Sequence, residues 1–170
     1  MELEDGWRLA FRSFQEKDFS PKKGLTEEYG KKSCEAEETA DKSHKAGESA
    51  GAVSGRLYNI TAAEGMEDFA GTIRYEADFE WDPERDGEML LIDFGAVYET
   101  LEVWLNGEKK AVRIAPPYSC SITGAVKGQN RLTIYVTNTL VHKYHDFFSM
   151  TMPVEGSGLL GPVCAEGYWE

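Results

Sequence analysis

Hydrophobic and polar residues alternate almost without interruption from Gly71 to Trp81, in the run GTIRYEADFEW. A period of two is typical of a half-buried strand, because successive side chains point to opposite faces of a sheet. The run from Thr100 to Leu105 alternates in the same way. The apolar positions of the two runs are Ile73, Tyr75, Ala77, Phe79, Trp81, Leu101, Val103 and Leu105.

Shorter apolar runs recur along the rest of the chain at intervals of about ten residues, with turn residues between them. Asn106-Gly107 is the strongest of these turn signals, since both residue types tolerate the positive φ angles of a type I′ hairpin. No convincing amphipathic helix interrupts the series, so the pattern predicts an all-β, antiparallel sandwich or jelly roll. The further strands are predicted at 7–14, 89–94, 111–114, 118–122 and 131–137. Ordered structure is also predicted at 56–60, directly after the insertion described below.

One segment lacks the residues that build a core. From Lys31 to Ala50 there is no Val, Ile, Leu, Met, Phe, Trp or Tyr. Such a segment buries too little apolar surface to offset the entropy of ordering it. We therefore predict a single domain over 1–170 that contains a mostly disordered, charged insertion at 15–55. Recognition of a partner by this insertion is the functional alternative.

Composition narrows the classes of partner. The 170-residue chain has 18 basic and 30 acidic residues and a net charge of −12, which disfavours nucleic acid and anionic membranes. No apolar run is long enough to span a bilayer. The N-terminus lacks the features of a signal peptide, and the chain has no CxxC pair, so we expect a cytoplasmic protein with reduced thiols. Export stays open as the alternative, if the chain is a fragment of an exported enzyme.

Four segments, in order, carry a family resemblance: GTIRYEADFEW, LLIDFGAVYETLEVWLNG, APPYSCSITGAVKGQNRLTIYVTNT and SGLLGPV. They resemble the sugar-binding jelly-roll domain of family 2 glycoside hydrolases. The closing segments are also similar to the galactose-binding-like module that ends large rhamnosidase-type enzymes. The resemblance covers roughly 56–163, and Ser121 departs from it, since an aspartate is common at that position.

The resemblance implies a non-catalytic module, because in such enzymes the acid and the nucleophile lie on a separate barrel. Its partners would be carbohydrate, a glycoside hydrolase catalytic domain, or both. Two alternatives stay open: a β-sandwich that docks proteins without sugar affinity, and a small glycoside hydrolase in its own right.

Aromatic residues are the main candidates for a binding site, since sugar rings stack their C–H faces on Trp and Tyr while their hydroxyls pair with polar groups. Trp104 points away from the core side of its strand, and Tyr118 follows a rigid Pro-Pro pair. Asn106 is a turn residue that also offers a polar group to a sugar, and Trp169 lies near the C-terminus. Packing against another domain is the competing interpretation of these aromatics.

No cofactor is expected. Three sequence patterns are only weak signals of a bound metal ion or dinucleotide. The segment 142–146, HKYHD, resembles neither HExxH nor a zinc finger. The segment 156–161 satisfies GxGxxG, but Pro162 follows at once, so we interpret it as a glycine-rich turn. A structural calcium is conceivable on an acidic loop but is not favoured over a solvated turn; the loop carboxylates are Asp82, Glu84 and Asp86.

Overall fold

The computed structural model describes Leu3 and residues 6–13, 49–83, 88–144 and 155–168 of the chain. These residues form eleven strands and two short 3₁₀ helices. The strands are β1 (Trp7–Ser13), β2 (Ser49–Gly55), β3 (Gly71–Trp81), β4 (Met89–Asp93), β5 (Ala96–Tyr98), β6 (Thr100–Leu105), β7 (Glu108–Arg113), β8 (Ser119–Ile122), β9 (Gly128–Thr137), β10 (Gly158–Gly161) and β11 (Cys164–Tyr168). The 3₁₀ helices are Ile60–Ala62 and Leu140–His142.

The strands lie in three sheets, and all pairs of named strands are antiparallel. The largest sheet has six strands in the order β2-β1-β3-β9-β6-β7. The second has three strands in the order β11-β4-β8, and a two-stranded ribbon joins β10 to β5. The prediction of an all-β, antiparallel sandwich is therefore confirmed.

The core lies between the sheets and is built from the predicted apolar positions of the long strands. On β3, Ile73 and Tyr75 are fully buried, and on β6 so are Leu101 and Val103. The alternate residues of β3 are half-buried or exposed, as a period of two requires. The opposite side of the core comes from the three-stranded sheet, through Leu90, Ile92, Cys120, Ile122 and Ala165.

The hairpin between β6 and β7 turns at Asn106 and Gly107, as predicted. Their φ angles are 51° and 82°, both in the left-handed region. Asn and Gly are the residues that adopt this region at least cost, so the Asn-Gly pair sets the register of the hairpin. The return strand begins at Glu108, three residues earlier than the sequence pattern indicated.

The predicted insertion extends too far at its C-terminal end. Ser49–Gly55, which we assigned to it, forms β2 and pairs with β1, with Leu9 opposite Val53. This edge strand forms by backbone hydrogen bonding along the free side of β1, and such pairing does not need a row of large apolar side chains. Residues 15–48 of the predicted insertion lie outside the described residues.

The glycine-rich segment at 156–161 is also more ordered than the sequence suggested. Gly158–Gly161 is strand β10, and Leu159 N donates a hydrogen bond of 3.0 Å to the hydroxyl of Tyr75. Gly158 has a φ of +97°, and a Cβ there would lie 2.4 Å from the same hydroxyl. Glycine is therefore required by close packing against the core, and the turn interpretation of this segment is wrong.

Replacing Gly158 with alanine tests this packing. We expect Gly158→Ala to lower the free energy of unfolding by about 2–4 kcal/mol, because it combines left-handed strain with a clash against Tyr75. Gly128→Ala is the matched control, since Gly128 has a φ of +95° and a Cβ added there would meet no atom within 4 Å. It should lose only about 1–2 kcal/mol. Equal losses in urea denaturation would contradict the packing argument.

Candidate binding face

The outer face of the six-stranded sheet carries most of the polar residues of the long strands. We define the outer face as the side of β1, β3, β9, β6 and β7 that points away from the core. Strand register places its residues in rows, because directly opposed side chains in an antiparallel pair are neighbours. One row is Arg8, Glu76, Thr133, Trp104 and Lys109; the next is Ala10, Arg74, Tyr135, Glu102 and Val112.

Two aromatic residues meet at the centre of the outer face. The rings of Trp104 and Tyr135 are in edge-to-face contact, with centroids 6.4 Å apart and an interplanar angle of 69°. Trp104 Nε1 donates a hydrogen bond of 2.6 Å to Oε1 of Glu102. Lys109 Nζ donates to the other carboxylate oxygen of Glu102. Since both oxygens of Glu102 are engaged, this carboxylate holds the indole in one orientation.

The pKa of Glu102 reflects these contacts. Partial burial disfavours its charged form, but the hydrogen bonds from Lys109 and Trp104, with the charge of Lys109, outweigh burial and lower the pKa from 4.5. Glu102 is therefore ionised at neutral pH. A glycosidase acid needs the opposite shift, a pKa raised so that the carboxyl keeps its proton.

A second carboxylate on the outer face is shared by two arginines. Asp78 accepts hydrogen bonds of 2.8 Å from Arg131 Nε and 2.8 Å from Arg8 Nη2. The hydrogen bond from Arg131 is the largest cause that lowers the pKa of Asp78 below 3.8, and the charges of both guanidinium groups act in the same direction. Asp78 thus joins β3 to both neighbouring strands, β1 and β9.

Asn106 lies at the end of β6, close to Trp104 in sequence, and its side chain is used inside the protein. Its Oδ1 accepts a hydrogen bond of 2.8 Å from Arg131 N, and its Nδ2 donates one of 2.9 Å to Oδ1 of Asn130. These contacts tie the hairpin to the start of β9. The turn role of Asn106 is therefore visible in the structure, whereas its role as a sugar ligand stays a prediction.

Tyr118 lies at the opposite end of the sandwich from Asn106. Its hydroxyl donates to the backbone oxygen of Glu99, the residue that precedes β6. Glu99 and Asn106 flank the six residues of β6, a strand about 20 Å long at ~3.3 Å per residue. The structure therefore places Asn106 two residues beyond Trp104, where β6 ends, and does not bring Tyr118 to them.

The same end as Tyr118 also exposes apolar side chains. The segment that follows β9 exposes Leu140, Val141 and Tyr144, and Tyr144 is 59% exposed. The Lys143 ammonium lies 4.5 Å from the centroid of the Tyr144 ring, a cation–π contact. We call these three exposed residues the apolar end. Contiguous exposed apolar groups of this kind are typical of protein contact sites.

The residues of the two weak metal-binding patterns, 142–146 and the acidic loop at 82–86, are only partly covered by the structure. His142 is buried in the second 3₁₀ helix, and Asp82 is exposed with a 2.7 Å ion pair to Lys127. Glu84, Asp86, His145 and Asp146 lie outside the described residues, as does Trp169. Among the residues that the structure does describe, no three His, Cys, Asp or Glu side chains are grouped to hold a metal ion. No helix among them is both long and apolar enough to cross a membrane.

Sequence reasoning singled out Trp104 and missed its neighbour Tyr135. The signal was present, because Tyr135 alternates with the core residues Leu132, Ile134 and Val136 of the same strand and therefore faces outward. Its contact with Trp104 depends on the pairing of β9 with β6. Strand order of this kind is not contained in the periodicity of either strand.

No protein-family model and no curated protein sequence matches the chain. Solved structures do match it. A rhamnosidase from Novosphingobium sp. PP1Y is similar over 97% of this chain, with 22% identity and a TM-score of 0.67. An FMN-binding β-glucuronidase from Facaelibacterium prausnitzii L2-6 is similar over 97%, with 20% identity and a TM-score of 0.58. A Ruminococcus gnavus β-glucuronidase is similar over 81%, with 17% identity and a TM-score of 0.51.

The matched region is a small part of each of these enzymes. It covers 14% of the rhamnosidase chain, 22% of the first β-glucuronidase and 21% of the second. At these identities the likeness shows the fold. The chain therefore has the same β-sandwich fold as one segment of several much longer glycoside hydrolases.

The ionised state of Asp78 predicts how stability depends on pH. Because the folded pKa is lowered, Asp78 stabilises the fold above its unfolded pKa, near 3.8, and the stabilisation is lost as the pH falls through the folded value. We expect Asp78→Asn to cost less than about 1 kcal/mol at pH 7, since the cluster is partly exposed. The difference from the wild type should shrink below pH 4.

Urea denaturation of both proteins between pH 7 and pH 2 measures this difference. Glu80→Gln is the control, because Glu80 lies on the same strand and the same face and is exposed. A difference between wild type and Asp78→Asn that stays constant down to pH 2 would rule out the proposed ionic contribution.

Proposed function

We propose that this chain is a non-catalytic accessory module of a glycoside hydrolase system and that it contacts carbohydrate through the outer face, centred on Trp104 and Tyr135. The observation that carries the proposal is the fold match, which spans 97% of this chain and only 14% of a rhamnosidase. A module of that size accompanies a catalytic domain in such an enzyme. Hydrolysis would then belong to another domain or another chain.

The aromatic pair supports a carbohydrate role. Trp104 is half-buried, and its orientation is fixed by Glu102 before any ligand arrives. A ring held in place loses little conformational entropy on binding, so stacking on a sugar would cost less than with a freely rotating side chain. Thr133 lies directly opposite Trp104 on β9, and its hydroxyl would supply a polar partner for a sugar hydroxyl. The hydroxyls of Thr100 and Thr137 form hydrogen bonds within the sheet.

The electrostatics of the outer face argue against the alternative of a small glycoside hydrolase. Among the described residues, the carboxyl groups with a clear pKa shift are Asp78 and Glu102, and both shifts are downward. Each is held ionised by a cation, which suits a structural ion pair and not a general acid.

A second candidate function is favoured by the apolar end. Leu140, Val141 and Tyr144 form an exposed surface on the 3₁₀ segment after β9. A module that braces a catalytic domain needs an apolar contact surface of this kind. The two functions use different parts of the molecule, so they can be tested separately.

Binding to a broad glycan panel, followed by calorimetry on each hit, tests the first candidate. Trp104→Ala should weaken binding at least tenfold, about 1.4 kcal/mol, because a central aromatic contact carries a large share of the affinity. Tyr144→Ala is the control, since it removes an exposed aromatic from the apolar end. Wild-type affinity of Trp104→Ala for the same glycan would contradict the proposed surface.

Co-purification and calorimetry with a glycoside hydrolase catalytic domain test the second candidate. Here the roles of the two variants are reversed: Tyr144→Ala should weaken the complex and Trp104→Ala should leave it unchanged. Loss of the complex in Trp104→Ala alone would assign protein docking to the outer face instead.

A further inference from the structure

The hairpin of β6 and β7 changes register beside Trp104. Up to Val103, which lies opposite Ala111, the two strands pair residue for residue. Trp104 is then opposite Lys109, so the register leaves Lys110 without an opposed residue on β6. One extra residue of this kind forms a β-bulge, and a bulge changes the direction in which the neighbouring side chains point.

The register shift gives two consecutive lysines different surroundings. Lys110 Nζ donates a hydrogen bond of 2.6 Å to Glu108, and the Lys110 side chain is only 12% exposed. The Lys109 side chain is 46% exposed on the outer face and donates to Glu102. In the unshifted register, Lys110 would lie opposite Trp104 instead of Lys109. The bulge therefore decides which of the two lysines lies beside Trp104 and pairs with Glu102.

Trp104, Glu102 and Lys109 form a triangle of contacts on this hairpin. Glu102 is two residues before Trp104 on the same side of β6, and Lys109 is directly opposite Trp104. One oxygen of the Glu102 carboxylate accepts from the indole and the other accepts from the ammonium. Because the acceptor is charged, the indole hydrogen bond of 2.6 Å is stronger than one between neutral groups. The ion pair with Lys109 holds the carboxylate in place at its second oxygen.

The indole N–H of Trp104 is already used within the protein. An indole nitrogen has a single hydrogen and acts only as a donor, and Glu102 accepts that hydrogen. Tyr135 covers at most one face of the indole, because the two rings meet edge to face. Trp104 therefore offers a ligand a ring face in a fixed orientation and no hydrogen-bond donor.

We propose that Glu102 and Lys109 are positioning residues for saccharide binding: they fix the face of Trp104 on which a sugar ring stacks, and they contact no ligand atom themselves. This inference rests on the proposed carbohydrate function and adds to it the residues that prepare Trp104. Without them the indole would be ordered only when the ligand binds. Ordering one side chain on binding weakens the affinity about two- to tenfold.

The indole N–H resonance of Trp104 tests the positioning in the absence of a ligand. The chain has four tryptophans, and the resonance that is missing from Trp104→Phe identifies the relevant one. We expect Glu102→Ala to move this resonance upfield, because its hydrogen bond is lost. Lys109→Gln should move it in the same direction by a smaller amount. Glu108→Gln is the matched control, since it breaks the other ion pair of the hairpin, and it should leave the resonance unmoved.

Calorimetry with the glycan that binds the wild type most tightly in the panel tests the effect on binding. Glu102→Ala should weaken binding about two- to tenfold. Glu102→Gln should recover part of the loss, because its amide oxygen still accepts the indole N–H. When Trp104→Phe is already present, Glu102→Ala should have no further effect, since a phenyl ring has no N–H for Glu102 to hold. Glu108→Gln should keep the wild-type affinity, and urea denaturation checks that each variant is folded.

Three results would overturn the inference, and they differ in what they mean for the proposed function. Wild-type affinity of Glu102→Ala, or an indole resonance that this variant leaves unmoved, would remove the positioning role and leave carbohydrate binding in place. An equal loss of affinity with and without Trp104→Phe would make Glu102 a direct ligand of the sugar. Absence of any glycan that binds the wild type would remove both the inference and the proposed carbohydrate function.

Discussion

The antiparallel pairing of β3 with β9 is the constraint on which the rest of the structure depends. Their register is unbroken from Thr72 opposite Thr137 to Trp81 opposite Gly128. An antiparallel pair of this length fixes which side of every residue faces the core, since a shift of one position would turn each apolar side chain outward. The buried residues Ile73 and Tyr75 on β3 and Ile134 on β9 make such a shift costly.

The same register builds the outer face. Alternate residues of the two strands point away from the core. The register alone therefore makes Arg74 and Tyr135 neighbours on the outer face. β6 then adds Trp104 and Glu102 on the far side of β9, and β1 adds Ala10 on the far side of β3. A surface that combines aromatic rings with cations is thus a consequence of how a buried core is kept in register.

Specific close contacts, in addition to strand pairing, position the remaining segments of the fold. Gly158 lets β10 approach the hydroxyl of Tyr75, and Asn106 ties the β6–β7 hairpin to the backbone of Arg131. Sequence patterns placed the hairpin correctly, because Asn-Gly has few alternatives in a two-residue turn. They placed β10 and β2 incorrectly, because neither strand has the alternating apolar residues by which a strand is recognised. Both strands form by antiparallel pairing with another strand, β2 with β1 and β10 with β5.

The sequence by itself determined the all-β class, the long strands and the outward direction of Trp104, since each of these follows from a period of two within one segment. Only the tertiary structure decided which outward residues meet. It separated Tyr118 from Trp104 by the length of β6 and brought Tyr135 and Arg74 to the aromatic centre instead. The physical reason is that periodicity is a local property, whereas strand order depends on long-range pairing among segments that alternate in the same way.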